Sequence, residues 1–503
     1  MKATSLALHV EPIAKGRSGY KALVTVFAVG TAYWLYYFVR LMIDGHTILG
    51  TESYGATWGL AVANIIHIIG ISHVGIAVSA TVRVLGLKKY RSVARLAELV
   101  TLVALVAAVV NIAVDVGRPD RFLSHTLLYG RWNAPMVWSM TVILLYFLAS
   151  GTYLYLSARR DFWVLSDARI GPWRVYRFLA AGYTDTQGDR ARHTRALFWL
   201  AILLVPIMIS VHSVYGLFFG LLQSKPGWFN PLQAPYFVLA AIVSGFSAII
   251  VIAAWLRRAF HWRELIPNRV FKVFGVFLAF VVFLYLYFVV SEQLTAQFVA
   301  SPAEEAVSNS LLIGRYSLLF WMTILVGLVL PFGYLFGQGL RKDQVNVVGI
   351  AVAAMLVNLG MWVKRYLIVV PSQYQPHLPL PRPLVAYSPT YAEWVLVLGT
   401  YALAALIFVA LIRLIPLIEL PASRNDVETD LPSYRRGVRQ VAMAFTLTVA
   451  VMLIAWGVLT RAQDFASLKW LVGLTMLVIL PLEYCLIPDA MPVAIEGHEA
   501  ARD

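Results

Sequence analysis

Apolar runs long enough to cross a membrane recur along nearly the whole chain, separated by shorter polar segments. A helix that spans the hydrocarbon core needs about 20 mostly apolar residues, which predicts about twelve spanning helices here. The predicted spans are 21–43, 56–85, 92–114, 134–156, 195–222, 234–255, 270–290, 312–336, 345–363, 391–412, 441–459 and 468–486. The pattern therefore predicts an all-α polytopic membrane protein.

The composition agrees with this pattern. Of 503 residues, 60% are hydrophobic and 13% are charged, whereas a soluble domain has about 45–50% apolar and about 25% charged residues. The one cysteine, Cys485, excludes an internal disulfide and a cysteine-ligated iron–sulfur cluster, and no Cys-x-x-Cys-His haem site is present. Any cluster that exchanges electrons with this chain is expected to belong to a partner.

The net charge of +15 follows the predicted topology. Lysines and arginines gather at the N-terminus and after the even-numbered spans, while the other loops are acidic or mixed. Cytoplasmic loops carry the excess of basic residues, so both termini are predicted to be cytoplasmic. The first apolar run is too long for a signal-peptide core, so it is expected to remain as the first helix.

Two longer loops interrupt this alternation. The cytoplasmic loop 157–194 is rich in arginine and aspartate, and we expect it to be solvated. The outer loop 371–389 is rich in proline, which favours an extended backbone. That loop is expected either to lie along a partner or to act as a plain connector.

A charged turn follows the third predicted span and faces the outside. It reads Asp115-Val-Gly-Arg-Pro-Asp-Arg-Phe122 and is followed by Asn133-Ala-Pro-Met136. A charge costs about 2.5–3.5 kcal/mol near the centre of a membrane helix and less towards the interface, unless it is paired or used. This cluster is therefore a candidate functional site at the outer membrane boundary.

Three histidines lie inside predicted spans. His67 and His73 are six residues apart, so they occupy different faces of one helix and are poor joint ligands of one metal. His212 lies about 15 Å from the outer end of its own span, at a depth similar to that of His67. The histidines are expected either to line one cavity or to hydrogen-bond between helices, as Asn64, Asn111 and Asn358 are expected to do. A bis-histidine haem is a minor alternative.

Glu98 lies near the cytoplasmic end of the third span. A buried carboxyl group at that position suits proton transfer, because burial disfavours its ionised form. Alternatively Glu98 pairs with Arg95, which lies three residues earlier on the same helix face. The residues leave both interpretations open.

Several motifs together resemble the NrfD/PsrC family of polysulfide-reductase-like membrane subunits, and most closely the NrfD-like quinol-oxidising subunits of alternative complex III. The resemblance extends from about the second to the tenth span. The matching residues are Gly70-Ile-Ser-His-Val-Gly75, Arg95-Leu-Ala-Glu98, Asp115-Val-Gly-Arg-Pro-Asp120, Asn133-Ala-Pro-Met-Val-Trp138, His212-Ser-Val, Pro226-Gly-Trp, Ala234-Pro-Tyr-Phe-Val and Ser244-Gly-Phe.

This resemblance implies two four-helix bundles with flanking helices. The first bundle, 56–222, would hold a quinone site near the outer face, and the second would span 223–363. The flanking segments would be 1–55 with the first helix, 364–416 with the proline-rich loop and tenth helix, and 417–503 with two extra C-terminal helices. The last two spans exceed the usual number, and Lys364 stands where related chains often carry an acid, which questions a proton role for the second bundle.

The resemblance also implies a function in electron transfer. The expected protein is a quinol-oxidising subunit in a bacterial cytoplasmic membrane that passes electrons to a periplasmic ferredoxin-like iron–sulfur subunit, with c-type cytochromes and a second NrfD-like subunit as further partners. Menaquinone is the expected substrate, and this chain is expected to bind no haem or cluster. The expected quinone-binding residues are His67, His73, Asp115, Arg118 and His212. The expected proton-transfer residues are Glu98, Asp115 and His73.

Two other classes of function remain open. About twelve spans with cytoplasmic termini also fit a proton-coupled secondary transporter. Against this, the sequence has no clear matched pair of broken helices at mid-membrane, and polar residues crowd the outer third. A structural membrane anchor without quinone chemistry is the third interpretation.

Overall fold

The computed structural model describes residues 18–52, 56–84, 87, 90–131, 133–298, 301–341, 344–375 and 387–420, and within them it is helical without a strand. Ten of these helices are long and apolar enough to cross a membrane. The helices are α1 Ser18–Asp44, α2 Leu60–Val84, α3 Arg91–Val116, α4 Pro119–Tyr129, α5 Pro135–Asp167, α6 Trp173–Ala180, α7 Gln187–Gly220, α8 Gln233–Ala259, α9 Asn268–Phe298, α10 Pro302–Leu312, α11 Ser317–Leu340, α12 Val347–Val369 and α13 Tyr391–Leu411.

The first ten predicted spans correspond to these ten helices, and the all-α prediction is confirmed. The spans 441–459 and 468–486 lie outside the described residues. Helix α12 continues six residues beyond its predicted end at 363, to Val369. The segment 157–194, expected to be a solvated loop, is largely helical: α5 extends to Asp167 and buries Phe162 and Leu165 against α6, while residues 167–169 and much of α6 are exposed.

Helix α2 is the most enclosed helix of the membrane region. It packs against α3, α7, α8 and α12, and 83% of its most apolar window is buried. Its sequence is apolar on every face apart from the two histidines, a few small polar residues and Arg83 in the last turn, a pattern typical of a helix surrounded by other helices. The histidines of α2 therefore point at neighbouring helices rather than at lipid.

Close helix contacts in the second half of the chain depend on glycine. A Cβ atom on Gly327 of α11 would lie 2.9 Å from the Cα atom of Gly360 of α12, so only hydrogen fits there. The contact falls within a π-helical turn, Thr323–Val329, that widens α11. Helices α8, α9, α11 and α12 pack on one another through such contacts.

Helices α1 and α13 pack together and lie against α3. Helix α13 begins with a capping box in which Thr390 and Glu393 satisfy each other's backbone N–H groups. The Glu393 carboxylate also accepts hydrogen bonds from the backbone N–H of Gly50 at 3.0 Å and from the hydroxyl of Tyr387 at 2.7 Å. These bonds tie the outer ends of α1 and α13 together beside the turn that follows α3.

Candidate functional site

The turn after α3 requires glycine at position 117, for its backbone conformation and for lack of space. Gly117 has a φ of +68°, and a Cβ atom there would approach the Nε2 atom of His46 to 2.5 Å. The carbonyl of Arg118 then accepts from backbone N–H groups in the first turn of α4, while the Arg118 side chain is exposed. Pro119 occupies the start of α4, where its missing N–H costs nothing. The Gly-Arg-Pro order thus reverses the chain sharply at the outer end of α3.

Asp115 lies one turn before this reversal and is partly buried. Its carboxylate makes no hydrogen bond or ion pair within the described part of the chain. Its electrostatic neighbours are Tyr215 of α7 and Glu393 of α13. Asp115 therefore keeps free acceptor atoms at the outer end of the bundle, close to a second carboxyl group.

His67 faces α12, whereas His73 faces α7. Its Nε2 atom lies 3.3 Å from the Oδ1 atom of Asn358, and its Nδ1 atom is buried without a partner in the described residues. The Asn358 amide donates to the carbonyl of Ser244 at 3.0 Å and to the hydroxyl of Ser247 at 2.9 Å. Because the amide N–H groups are committed to α8, its oxygen is left to accept from His67.

His73 and His212 contact each other between α2 and α7, with ring centroids 4.0 Å apart in an edge-to-face arrangement. The Nδ1 atom of His73 lies 2.9 Å from the carbonyl of Ile69, and its Nε2 atom lies 2.8 Å from the carbonyl of Met208. A neutral imidazole has one N–H, so both contacts are hydrogen bonds only in the imidazolium. Both nitrogens of His73 therefore face backbone carbonyls and are turned away from a ligand.

His212 has the opposite environment. It is 1% exposed, and neither ring nitrogen has a hydrogen-bond partner in the described residues. The position of a Cβ atom on Gly70 lies 3.7 Å from its Nε2 atom, so the backbone of α2 leaves room beside the ring. Buried polar groups without partners are rare in proteins and indicate ordered water or a ligand at that place.

Arg365 of α12 adds a guanidinium group to the same region. The side chain is fully buried, and none of its three nitrogens makes a hydrogen bond of good geometry among the described residues, although the hydroxyls of Tyr236 and Tyr285 lie near it. It lies 5.3 Å from the ring centre of Phe237, and it is an electrostatic neighbour of both His67 and His212. A buried cation without a counter-ion is costly, so this group indicates a missing acceptor.

His73 and Asp115 were both expected to bind one quinone ring, but the register of α2 and α3 places them too far apart for that. The amide of Asn64 donates to the Oδ1 atom of Asn111 at 3.3 Å, so these residues lie at one level on the antiparallel helices α2 and α3. His73 and Asp115 extend from that level in opposite directions, by nine and four residues, which separates them by about 20 Å along the axis. His67 is seven residues from Asp115 by the same measure, or about 10 Å.

Glu98 belongs to a separate cluster at the cytoplasmic end. Its Oε1 atom accepts from the hydroxyl of Ser79 and lies 3.4 Å from Arg83, while its Oε2 atom is buried without a partner in the described residues. The predicted pair with Arg95 is wrong, because Arg95 forms its ion pair with Asp161 of α5. Glu98 is therefore a buried carboxyl group that remains available for proton transfer.

Other residues of this cytoplasmic cluster were not identified from the sequence. Glu419, which follows α13, lies 2.7 Å from Arg83. Asp161 lies in the segment 157–194, which the sequence predicted to be a solvated loop, so its burial in α5 was not expected. Arg365 was missed for a similar reason, since it falls beyond the predicted end of its span. A charged residue inside a membrane helix is a candidate functional residue by default. Had the predicted span extended beyond residue 363, Arg365 would have been such a candidate.

Lys364, in the second half of the protein, forms a buried ion pair. Its Nζ atom lies 3.0 Å from the Oε2 atom of Glu292 on α9, and the lysine side chain is 1% exposed. Glu292, Gln233 and Tyr236 line a cavity of about 30 Å³ at the outer ends of α8 and α9. The buried lysine at position 364 is thus paired with a carboxylate of α9.

Comparison with known proteins places the chain in a family. Residues 50–377 match the family described as polysulphide reductase, NrfD. The chain is 26% identical over 422 residues to a Halobacterium salinarum protein that is provisionally named as a membrane subunit of dimethyl sulfoxide reductase, covering 80% of this chain and 92% of that protein.

Two further relatives are similar over most of their length. A selenate reductase subunit of Mesobacillus selenatarsenatis is 25% identical, covering 75% of this chain and 90% of the relative. The Hdr-like menaquinol oxidoreductase integral membrane subunit of Archaeoglobus fulgidus is 26% identical, covering 84% of this chain and all of the relative. The family match extends over more than half of the chain and includes both the Asp115 turn and the three histidines. The chain therefore belongs to the polysulphide reductase NrfD family.

Proposed function

We propose that this chain is the quinol-oxidising membrane subunit of a multi-subunit oxidoreductase complex in a bacterial cytoplasmic membrane. The observation that carries the proposal is the proximity of His67, His212 and Arg365. The Nδ1 atom of His67 and all side-chain nitrogens of His212 and Arg365 lack hydrogen-bond partners in the described residues. The relatives support it, since one is named as a menaquinol oxidoreductase subunit and two as subunits of reductases.

The proposed head-group site lies between Asp115 at the outer end of α3 and the group His67, His212 and Arg365 below it. The offset of about 10 Å between Asp115 and His67 is one that a quinone ring with a hydrogen bond at each carbonyl oxygen can bridge. His67 and Arg365 contact one oxygen, and Asp115 supplies an acceptor for the other. His212 lies deeper, against His73 and beside Arg365. Menaquinol is the substrate that this proposal favours.

Oxidation of the quinol releases two electrons and two protons. Asp115 accepts one proton at the outer end, where the turn after α3 meets the surface. His67 accepts the other at its Nδ1 atom, which has no partner in the described residues, and His212 lies deeper as the next proton acceptor. Both electrons leave to an iron–sulfur subunit on the periplasmic side, as in the related alternative complex III type. This arrangement keeps both acceptors within the first group of helices.

The proposal extends to the cytoplasmic cluster. Glu98 has a free buried oxygen, and Ser79 and Tyr153 continue a hydrogen-bonded chain beside it. Proton uptake through Glu98 would couple quinol oxidation to proton translocation. Replacing Glu98 with glutamine is expected to abolish proton uptake from the cytoplasmic side in proteoliposomes while quinol oxidation continues.

The proposed function is tested with the purified complex. A hydroxyquinoline N-oxide, which mimics a quinol head group, is titrated while the rate of menaquinol-analogue oxidation is measured. We expect saturable inhibition in the wild-type complex and at least tenfold weaker inhibition when His67 or Arg365 is replaced. Equal inhibition of all three proteins would reject this site. Absence of any quinol oxidation, together with solute uptake by the chain alone, would favour a transporter.

A further inference from the structure

Helix α6 presents an unusual surface at the cytoplasmic end of α5. One side is buried, where Tyr176 stacks on Phe162 with ring centroids 5.7 Å apart. The opposite side is free and apolar, with Val175 49% exposed and Phe178 83% exposed. Arg174 and Arg177 are exposed on the same short helix. Apolar and cationic side chains thus share one surface that no described residue covers.

The position of α6 is fixed by its C-terminal end. The Nε atom of Arg159 donates to the carbonyl of Ala180 at 2.9 Å, and its Nη2 atom donates to the carbonyl of Ala181 at 2.7 Å. The hydroxyl of Tyr155 donates to the carbonyl of Leu179 at 3.0 Å. These bonds satisfy carbonyl groups that a helix end leaves open. The free surface is therefore held at a defined depth.

That depth follows from the length of α5. The helix has 33 residues, and a hydrocarbon core of about 30 Å takes up about 20 of them. Counted from the outer end at Pro135, the core ends near Tyr155, the residue that bonds to Leu179 of α6. Phe178 therefore lies at the boundary of the acyl chains. Tyr176, in the middle of α6, contacts Phe162, which lies about 10 Å beyond Tyr155 toward the cytoplasm, among the head groups.

The charge of this surface is positive. Arg169 and Arg174 lie over the ring of Trp173, at 5.9 and 5.3 Å from its centre. The nearby acids Asp185 and Asp189 already pair with Arg190 and Arg192, at 2.8 Å for the first pair. The cytoplasmic leaflet carries the anionic lipids, and each basic residue near it contributes about 1 kcal/mol of attraction.

We propose that α6 is a binding surface for an anionic phospholipid of the cytoplasmic leaflet. The guanidinium groups of Arg174 and Arg177 bind the phosphate, since their planar donors match its oxygens. Phe178 and Val175 contact the first methylene groups of the acyl chains, as the apolar side of an interfacial helix does. The inference does not depend on the quinol site, which lies at the opposite side of the membrane.

The test uses the whole complex in nanodiscs that contain equal amounts of phosphatidylglycerol and phosphatidylcholine. Lipids that remain bound after detergent extraction are counted by native mass spectrometry. We expect the wild type to retain phosphatidylglycerol in preference, and an Arg174→Ser/Arg177→Ser variant to lose this preference several-fold. An Arg174→Lys/Arg177→Lys variant keeps the charge and should retain most of it.

A matched control removes two exposed arginines from another cytoplasmic turn, as Arg258→Ser/Arg263→Ser. This control should keep the wild-type preference. Phe178→Asp keeps both arginines and should shorten lipid retention without reversing the preference. Equal retention of both lipids by the wild type, or an equal loss in the control, would overturn the proposal. Loss of a protein subunit in the α6 variants would show that this surface docks a partner instead.

Discussion

The imidazole of His212 lies edge to face on that of His73, with ring centroids 4.0 Å apart, yet the two rings have opposite surroundings. Both nitrogens of His73 face backbone carbonyls, whereas those of His212 face no partner in the described residues. The pair therefore combines one ring that is held in place with one that is free to bind. His212, and not His73, is therefore the ring whose nitrogens are open to a proton or a ligand.

Replacing His212 with phenylalanine keeps a flat ring against His73 and removes both nitrogens. We expect quinol oxidation to fall by about 10²-fold or more, the lower range for loss of a general base, while assembly of the complex is unchanged. The measurement is the steady-state rate with a menaquinol analogue. His193→Phe, at the cytoplasmic end, is the matched control and should keep full activity. Wild-type rates in the His212 variant would remove this residue from the site.

Arg365→Met should separate binding from stability. Loss of a charge-assisted hydrogen bond costs about 1.5–3 kcal/mol, so affinity for a quinone analogue should fall by about 10–150-fold. The ligand-free complex should melt at the same temperature or higher, because a buried unpaired charge is removed. Analogue titration and thermal unfolding measure the two effects. A lower melting temperature with unchanged affinity would show that Arg365 is structural.

Asp115→Asn should lower the rate of quinol oxidation while the complex still binds a quinone analogue. The amide keeps the size and polarity of the side chain but accepts no proton at neutral pH. Asp115→Glu should recover part of the rate, since it restores a carboxylate. Glu305→Gln, an exposed acid on α10, controls for loss of a negative charge on the outer side. If Asp115→Asn turns over at the wild-type rate, the first proton goes elsewhere.

The sequence was sufficient to predict the ten described membrane helices. It did not predict that His212 contacts His73 rather than His67. Helix length and depth are local quantities that apolar runs encode directly. The sequence also placed His67 and His73 on different faces, which their contacts with α12 and α7 confirm. The proposed quinone contact of His73 could not be judged, because its carbonyl partner on α7 is distant in the chain.

The partners of buried charges were the part that could not be predicted. Arg95 has Glu98 at the favourable local spacing of three residues, but it pairs with Asp161, 66 residues further along. The tertiary contact between α3 and α5 decides the outcome, since both groups are removed from water together. Arg365 and Asp161 were both assigned to loops because charged residues shorten an apolar run, although the helices continue through them.

The pair between Arg95 and Asp161 should be important for stability. Asp161→Asn leaves a buried guanidinium without a counter-ion, a change that costs about 3–5 kcal/mol in buried pairs. Thermal unfolding of the complex in detergent measures the loss. The double variant Arg95→Met/Asp161→Leu removes both charges and should recover much of it. A double variant that is no better than Asp161→Asn alone would contradict this account.

Acid should weaken the cytoplasmic cluster through Glu419. Burial opposes ionisation of this group, but Arg83, Arg95 and Arg91 outweigh it and hold the pKa of Glu419 below its ordinary value of 4.5. Its stabilising contribution is therefore complete above pH 4.5 and is lost as the pH falls through the folded-state pKa. The melting temperature of the Glu419→Gln variant should converge with the wild type in acid. A constant gap across that pH range would contradict this.

The segment Pro416–Leu420 connects with three helices at once. The carbonyl of Pro416 accepts from Arg95 at 3.5 Å, Glu419 pairs with Arg83, the N–H of Leu420 donates to Asp161 at 3.2 Å, and its carbonyl accepts from Arg160 at 3.4 Å. These few residues hold the end of α13 against the helix bundle. Any shortened or tagged version of this protein should accordingly keep the chain intact up to Leu420, since a cut at Leu411 would remove all four contacts.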